Sequence, residues 1–193
     1  MNSNSTKSIL LVGVGGQGTI LASKVLSEGL MRMGYDVKMS EIHGMSQRGG
    51  SVTTHVRYGS KVYSPVISEG EADILVAFEK LEAARWLTYL KDRGVLVVND
   101  YEIYPVPVLL GRAKYPEDLN GMFRRKVKDV KIFDAGKVAQ DLGNVKAQNV
   151  VLLGALIKAM GLDAINWEEV LAEVVPARFL ELNVKALKAG MEL

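Results

Sequence analysis

The apolar positions along the chain switch repeatedly between two periods. Residues 9–12 form a solid apolar run that ends in a glycine-rich stretch, and beyond it Leu21, Ala22, Val25, Leu26, Leu30 and Met33 recur at helical spacing until Gly34. This predicts a buried strand, a glycine loop and an amphipathic helix stopped by a glycine. Tyr35, Val37 and Met39 then alternate with Asp36, Lys38 and Ser40, predicting a strand at 36–41 with one face less buried than the other. Val52, Thr54, Val56 and Tyr58 alternate with Thr53, His55 and Arg57, and Gly59 with Ser60 separates them from Lys61, Val62 and Tyr63. That spacing predicts a hairpin in which 61–63 folds back on 52–58 through a two-residue turn.

An α/β rhythm resumes with a buried strand at 74–78, a helix at 79–90 and a strand at 95–98 that Asn99 and Asp100 terminate. The segment 101–116 carries three of the five prolines and predicts an extended connection with a short strand at 106–110. A helix at 118–126 and a strand at 130–133 follow. From Asp134 the pattern is helical, with breaks near Gly143, at 161–166 and at Pro176. Residues 150–160 are so uniformly apolar that they belong inside the domain or under a partner. With the tail beyond Trp167 they offer more hydrophobic surface than a small domain needs, so an apolar face covered by a partner is expected there. Trp86 and Trp167 fall in helical apolar patterns and are expected in the core or an interface. The chain as a whole predicts one α/β domain over 1–193: a Rossmann-like open, mainly parallel sheet with helices on both faces, an inserted β-hairpin and a helical C-terminal tail.

Composition removes several classes of function. At 193 residues and 48% hydrophobic, the chain suffices for one well-packed domain. A formal charge of +2 with acids and bases interspersed argues against a dedicated nucleic-acid binder. The stretch 112–131 is locally basic, which reads as a solvated helix face. There is no cysteine, so this polypeptide supplies neither disulfides nor the thiolates of an iron–sulfur cluster, and any redox cluster would sit on another chain. The polar start and the early glycines match neither a signal-peptide core nor a membrane span, and a cytoplasmic location is expected.

The chemistry concentrates in two glycine-bearing blocks. Gly13, Gly15 and Gly18 fit G-x-G-x-x-G between a strand and a helix, with Gly16 and Gln17 between them, a pattern that presents backbone N–H groups and a helix N-terminus to a phosphate. The second block runs from His43 through Ser46, Gln47 and Arg48 to Gly49 and Gly50, just after the strand at 36–41. In a parallel sheet both loops lie on the carboxyl-end rim where open α/β sheets bind ligands. Arg48 would supply a planar cationic fork and the glycines a bare backbone. A nicotinamide dinucleotide would want an acid near the end of the second strand, and Glu41, about 23 residues past Gly18, keeps a self-sufficient NAD(P)-dependent dehydrogenase open. A surface turn with a structural His43 is the plainer alternative for the second block, and His55 reads as structural.

These same blocks, with His55, Val56 and Arg57, then Tyr63, Ser64 and Pro65, and Gly70 to Asp73, closely resemble the gamma-type domain of the 2-oxoacid:ferredoxin oxidoreductases. The resemblance spans nearly the whole chain, its specific motifs lying in the first half. Met45, Ser46 and Gln47 favour the arylpyruvate branch. The resemblance implies the small subunit of a thiamine-diphosphate-dependent enzyme that oxidatively decarboxylates indolepyruvate and similar acids to the acyl-CoA, carbon dioxide and reduced ferredoxin. It places thiamine diphosphate, magnesium and the iron–sulfur clusters on a large partner subunit and has the small one help accommodate coenzyme A. Carried onto this sequence, the cofactor-side candidates are Gly13, Gly15, Gly16, Gln17, Gly18, His43, Ser46, Gln47, Arg48 and Gly49. No catalytic residue and no metal ligand transfers. A purely structural assembly subunit remains an alternative.

Overall fold

The computed structural model describes residues 6–43 and 50–193. In chain order the elements are β1 (Lys7–Val14), α1 (Thr19–Arg32), β2 (Asp36–His43), β3 (Ser51–Gly59), β4 (Ala72–Ala77), α2 (Lys80–Trp86), β5 (Leu90–Asn99), α3 (Val106–Leu109), α4 (Leu119–Lys126), β6 (Asp129–Phe133), α5 (Ala135–Asp141), α6 (Gln148–Met160), α7 (Trp167–Val174) and α8 (Leu180–Met191). The strands form one six-stranded sheet in the order β2-β3-β1-β4-β5-β6. β1, β4, β5 and β6 are mutually parallel. β3 is antiparallel to both β1 and β2, so β2 runs with the parallel set and β3 alone runs against it.

The period-2 alternation sorts side chains onto two helical layers. Ile9 and Leu11 of β1 join a core with α1, α5, α6, α7 and α8, while Leu10 and Val12 join a second core with α2 and α4. Both faces are therefore covered, as the buried runs of β1, β4 and β5 require.

The structure corrects three expectations. The inserted hairpin exists, but it is β2 on β3. Residues 61–63 form no strand, because both edges of β3 are already taken. Side chains satisfy that segment instead: the Val62 amide donates to Asp36 Oδ2 at 2.8 Å. Arg57 donates to the Val66 carbonyl at 3.0 Å, and the Ile67 amide donates to His55 Nδ1 at 3.1 Å. The strand expected at 106–110 is the single helical turn α3. β5 has no free edge either, since β4 and β6 flank it, and Pro105 and Pro107 lack the N–H groups a ladder needs.

The third correction concerns the apolar helix. Every residue of α6 from Asn149 to Ile157 is buried within the chain, and α8 crosses it so closely that Gly154 and Gly190 face one another's backbone. Trp167 is likewise buried, its Nε1 donating to the Leu162 carbonyl at 2.9 Å. Exposed apolar side chains in the tail include Phe179 and Leu193, and others, notably Tyr104, Val106, Leu109 and Leu110, lie on the strap between β5 and α4.

Candidate functional site

β1 and β4 lie side by side at the centre of the sheet, but the chain leaves β1 toward β2 and leaves β4 toward β5. Their carboxyl ends thus form a topological switch point, where connections diverge and a crevice opens. The glycine loop sits at this point. Gly18 is the N-cap of α1 with φ 81°, and no side chain caps that helix end. Gly16 has φ 102°, a conformation that an L side chain resists. Gly13 is required for packing, since a Cβ there would lie 2.9 Å from Gln17 Oε1 and 3.0 Å from Phe78 Cβ.

Both ends of the Gln17 amide are engaged within the chain. Its Oε1 accepts from the Val14 amide at 2.7 Å and its Nε2 donates to the Phe78 carbonyl at 2.9 Å. A row of amides continues along the rim. Asn99 Nδ2 donates to the same Phe78 carbonyl at 3.2 Å and Asn99 Oδ1 accepts from the Ala135 amide at 2.9 Å. Asn149, at the start of α6, donates to the Gly18 carbonyl at 3.2 Å. In front of this row lies a cleft of about 640 Å³ bordered by Gly15, Gly16, Gln17, Tyr101, Ile103 and Gln148.

The second block approaches from the β2 side. His43 pairs with Val52 across β2 and β3, and Val52 pairs with Gly13 across β3 and β1, so the three lie in one row at the rim. The Gly15 amide donates to the Gly50 carbonyl at 2.9 Å. The ends of the two blocks therefore meet, as their sequence positions suggested. Ser46, Gln47, Arg48 and Gly49 lie outside the described residues. Glu41 is not brought to the glycine loop. It pairs with Thr54, which pairs with Leu11, leaving it two rows short of Gly13 with β3 interposed, and it accepts a bond from Ser23 Oγ at 3.3 Å. The acid that a dinucleotide ribose needs beside β1 is thus a full strand away.

The far side of the crevice is ionic. Lys80 pairs with Asp100 at 2.9 Å and Glu102 at 2.6 Å. Burial alone would lower its pKa, but the two carboxylates outweigh burial and hold it above the usual lysine range. Next to it, Glu79 and Glu82 are buried, at 1% and 4% exposure. Burial pushes the Glu82 carboxyl up, and the Glu79 charge adds to the shift. Glu79 accepts from the Tyr115 hydroxyl at 2.6 Å, and burial with this bond raises the Tyr115 pKa well above the ordinary phenol. None of Glu79, Glu82, Asn99 or Gln148 stands out in the sequence. Their partners are distant along the chain, and only the closing residues of the strand at 95–98 marked Asn99 at all.

Residues 8–193 match the family described as pyruvate ferredoxin/flavodoxin oxidoreductase, and the chain belongs to that family. Within it, the chain is 40% identical to the indolepyruvate oxidoreductase subunit IorB of Pyrococcus horikoshii, over 95% of this chain and 94% of the relative. The pyruvate/ketoisovalerate oxidoreductases common subunit gamma of Pyrococcus furiosus is 28% identical over 93% of this chain and 92% of its own. Among solved structures, the keto/oxoacid ferredoxin oxidoreductase gamma subunit from Geobacter sulfurreducens superposes with a TM-score of 0.73, at 26% identity, over 97% of this chain and 95% of that one. No helix among the described residues is long and apolar enough to cross a membrane.

Proposed function

We propose that this chain is the small, cluster-free subunit of a thiamine-diphosphate-dependent indolepyruvate-type 2-oxoacid:ferredoxin oxidoreductase and forms the coenzyme A side of its active site. The observation that carries the reading is the Gly15–Gly50 bond, which joins the glycine loop to the arginine-bearing block at the switch point. Higher identity to an indolepyruvate oxidoreductase subunit than to a pyruvate/ketoisovalerate one supports the arylpyruvate branch.

The division of labour follows from chemistry. Oxidative decarboxylation of a 2-oxoacid needs an electron sink for the carbanion left when carbon dioxide departs, which thiamine diphosphate supplies when bound. It also needs a one-electron relay, and a chain without cysteine cannot hold the clusters. The clusters therefore belong on a partner chain, and the family resemblance implies that thiamine diphosphate and magnesium sit with them on a large subunit. This chain contributes binding. The uncapped N-terminus of α1 and the bare backbone at Gly16 suit a phosphate-bearing ligand, and Arg48 would add a bidentate cation from the facing block. Coenzyme A, with its diphosphate and 3′-phosphate, fits that chemistry, and His43, Ser46, Gln47 and Gly49 would line its path. Gln17 keeps the loop in shape and borders the cleft.

The test is reconstitution. With indolepyruvate and coenzyme A, ferredoxin reduction and acyl-CoA formation require both the large subunit and this chain. Full coenzyme A-dependent turnover by the large subunit alone refutes the proposal.

A further inference from the structure

α2 begins with two acids that the helix itself does not need. Glu79 is its N-cap and accepts from the Glu82 amide at 2.9 Å, a task that Ser, Thr, Asp or Asn performs with a shorter side chain. Both acids are nonetheless almost fully buried, side by side. Burying neighbouring carboxyl groups is costly unless each finds strong partners. Arg85 of α2 itself lies 3.6 Å from Glu82, and the other partners come from opposite walls of the cleft. Ser51 Oγ donates to Glu82 Oε2 at 2.5 Å, and Ser51 directly follows Gly50, whose carbonyl holds the Gly15 amide. Across the helix start, Glu79 Oε1 accepts from the Tyr115 hydroxyl at 2.6 Å and from the Ile103 amide at 3.2 Å. Tyr115 and Ile103 belong to the strap, and Ile103 borders the cleft.

We infer that Glu79 and Glu82 are positioning residues for the cleft: Glu82 fixes the Gly15 wall through Ser51 and Gly50, and Glu79 fixes the wall that carries Tyr101 and Ile103. One turn of helix thereby sets the distance between the two walls. Neither acid touches a ligand in this arrangement, and each acts through the backbone it holds.

Backbone amide exchange on the full chain, read residue by residue by NMR, tests this without substrate. Glu82→Ala removes the acceptor for Ser51 but keeps the helix cap, and it is expected to speed exchange at Gly15 by about tenfold or more while leaving Ile103 within about threefold. Ser51→Ala removes the same bond from the β3 side and gives the same local change. Glu82→Gln keeps an acceptor for Ser51 and stays near wild type. Glu79→Asp still caps α2 but cannot reach the strap, so Ile103 speeds up while the Glu82 amide does not. Equal acceleration of all these amides in every variant, or an unchanged Gly15 in both Glu82→Ala and Ser51→Ala, overturns the inference.

A second readout rests on the coenzyme A reading proposed above. In the reconstituted complex Glu82→Ala should raise the KM for coenzyme A with little change in kcat, and Glu82→Gln should restore it. A Gly15 amide that responds together with an unmoved KM supports the positioning role and overturns the coenzyme A assignment. The two failures are therefore distinguishable.

Discussion

Gln17 bridges the ends of β1 and β4 by donating its Nε2 to the Phe78 carbonyl at 2.9 Å while its Oε1 takes the Val14 amide. The crevice floor is thus closed by a side chain of the glycine loop itself. Gln17→Glu keeps the acceptor for Val14 but sets a carboxylate oxygen against the Phe78 carbonyl. The expected loss is about 1–3 kcal/mol of unfolding free energy, from a carboxylate oxygen held against a carbonyl that keeps only its Asn99 donor. Denaturant unfolding measures it, and an unchanged midpoint would show that the bridge contributes nothing.

The crossing of α6 and α8 leaves no room for a side chain at either glycine. A Cβ on Gly190 would run into the Val151 carbonyl oxygen, and one on Gly154 into the Leu187 carbonyl oxygen. Backbone cannot give way as a flexible side chain can. Gly190→Ala and Gly154→Ala are each expected to cost about 1–3 kcal/mol or more, as overpacking does in well-filled cores. Thermal unfolding of the two variants checks this, with Gly34→Ala, where a Cβ meets only open space at φ 81°, as a comparison governed by backbone strain alone.

His55 supplies a pH dependence. Its Nδ1 accepts the Ile67 amide, which requires the neutral ring, and burial lowers its pKa below the ordinary histidine value. As pH falls, the unfolded chain takes up that proton first. The stability contributed by neutral His55 is therefore present above the unfolded-state pKa of about 6.5 and is lost as pH falls through the lower folded value. Unfolding free energy should decline more steeply on acidification in wild type than in His55→Gln. Parallel pH profiles would contradict this.

Where hydrophobic period dominates, the sequence was readable: β1, α1 and the buried α6 follow directly from their apolar spacing. Strand pairing was not, because alternation at 52–58 says that a strand exists but not that β1 and β2 occupy both its edges. The strap misled for a related reason, since β-branched residues between prolines look like a strand when no free edge is counted. The meeting of the two glycine blocks was legible because β1 and β2 run the same way. Glu79 and Glu82 were not. Their bonds to Tyr115 and Ser51 span 36 and 31 residues, and a capping pair reads as local helix chemistry.

The isolated chain is expected to give no indolepyruvate-dependent reduction of ferredoxin or viologen, because it has no cysteine to hold the clusters that would carry the electrons. Robust reduction by the purified chain would remove the need for a partner.

The coenzyme A KM of the reconstituted complex carrying Arg48→Ala bears most directly on the proposed role. A guanidinium paired with a phosphate predicts a rise of about tenfold or more, in keeping with the roughly 1.5–3 kcal/mol of a hydrogen bond to a charged group, with the oxoacid KM little changed. Arg48→Lys should recover only part of it, because a point charge does not reproduce the bidentate fork. Wild-type coenzyme A KM in both variants, coupled to failure to associate with the large subunit, would make the block an assembly element and contradict its assignment to the coenzyme A side of the site.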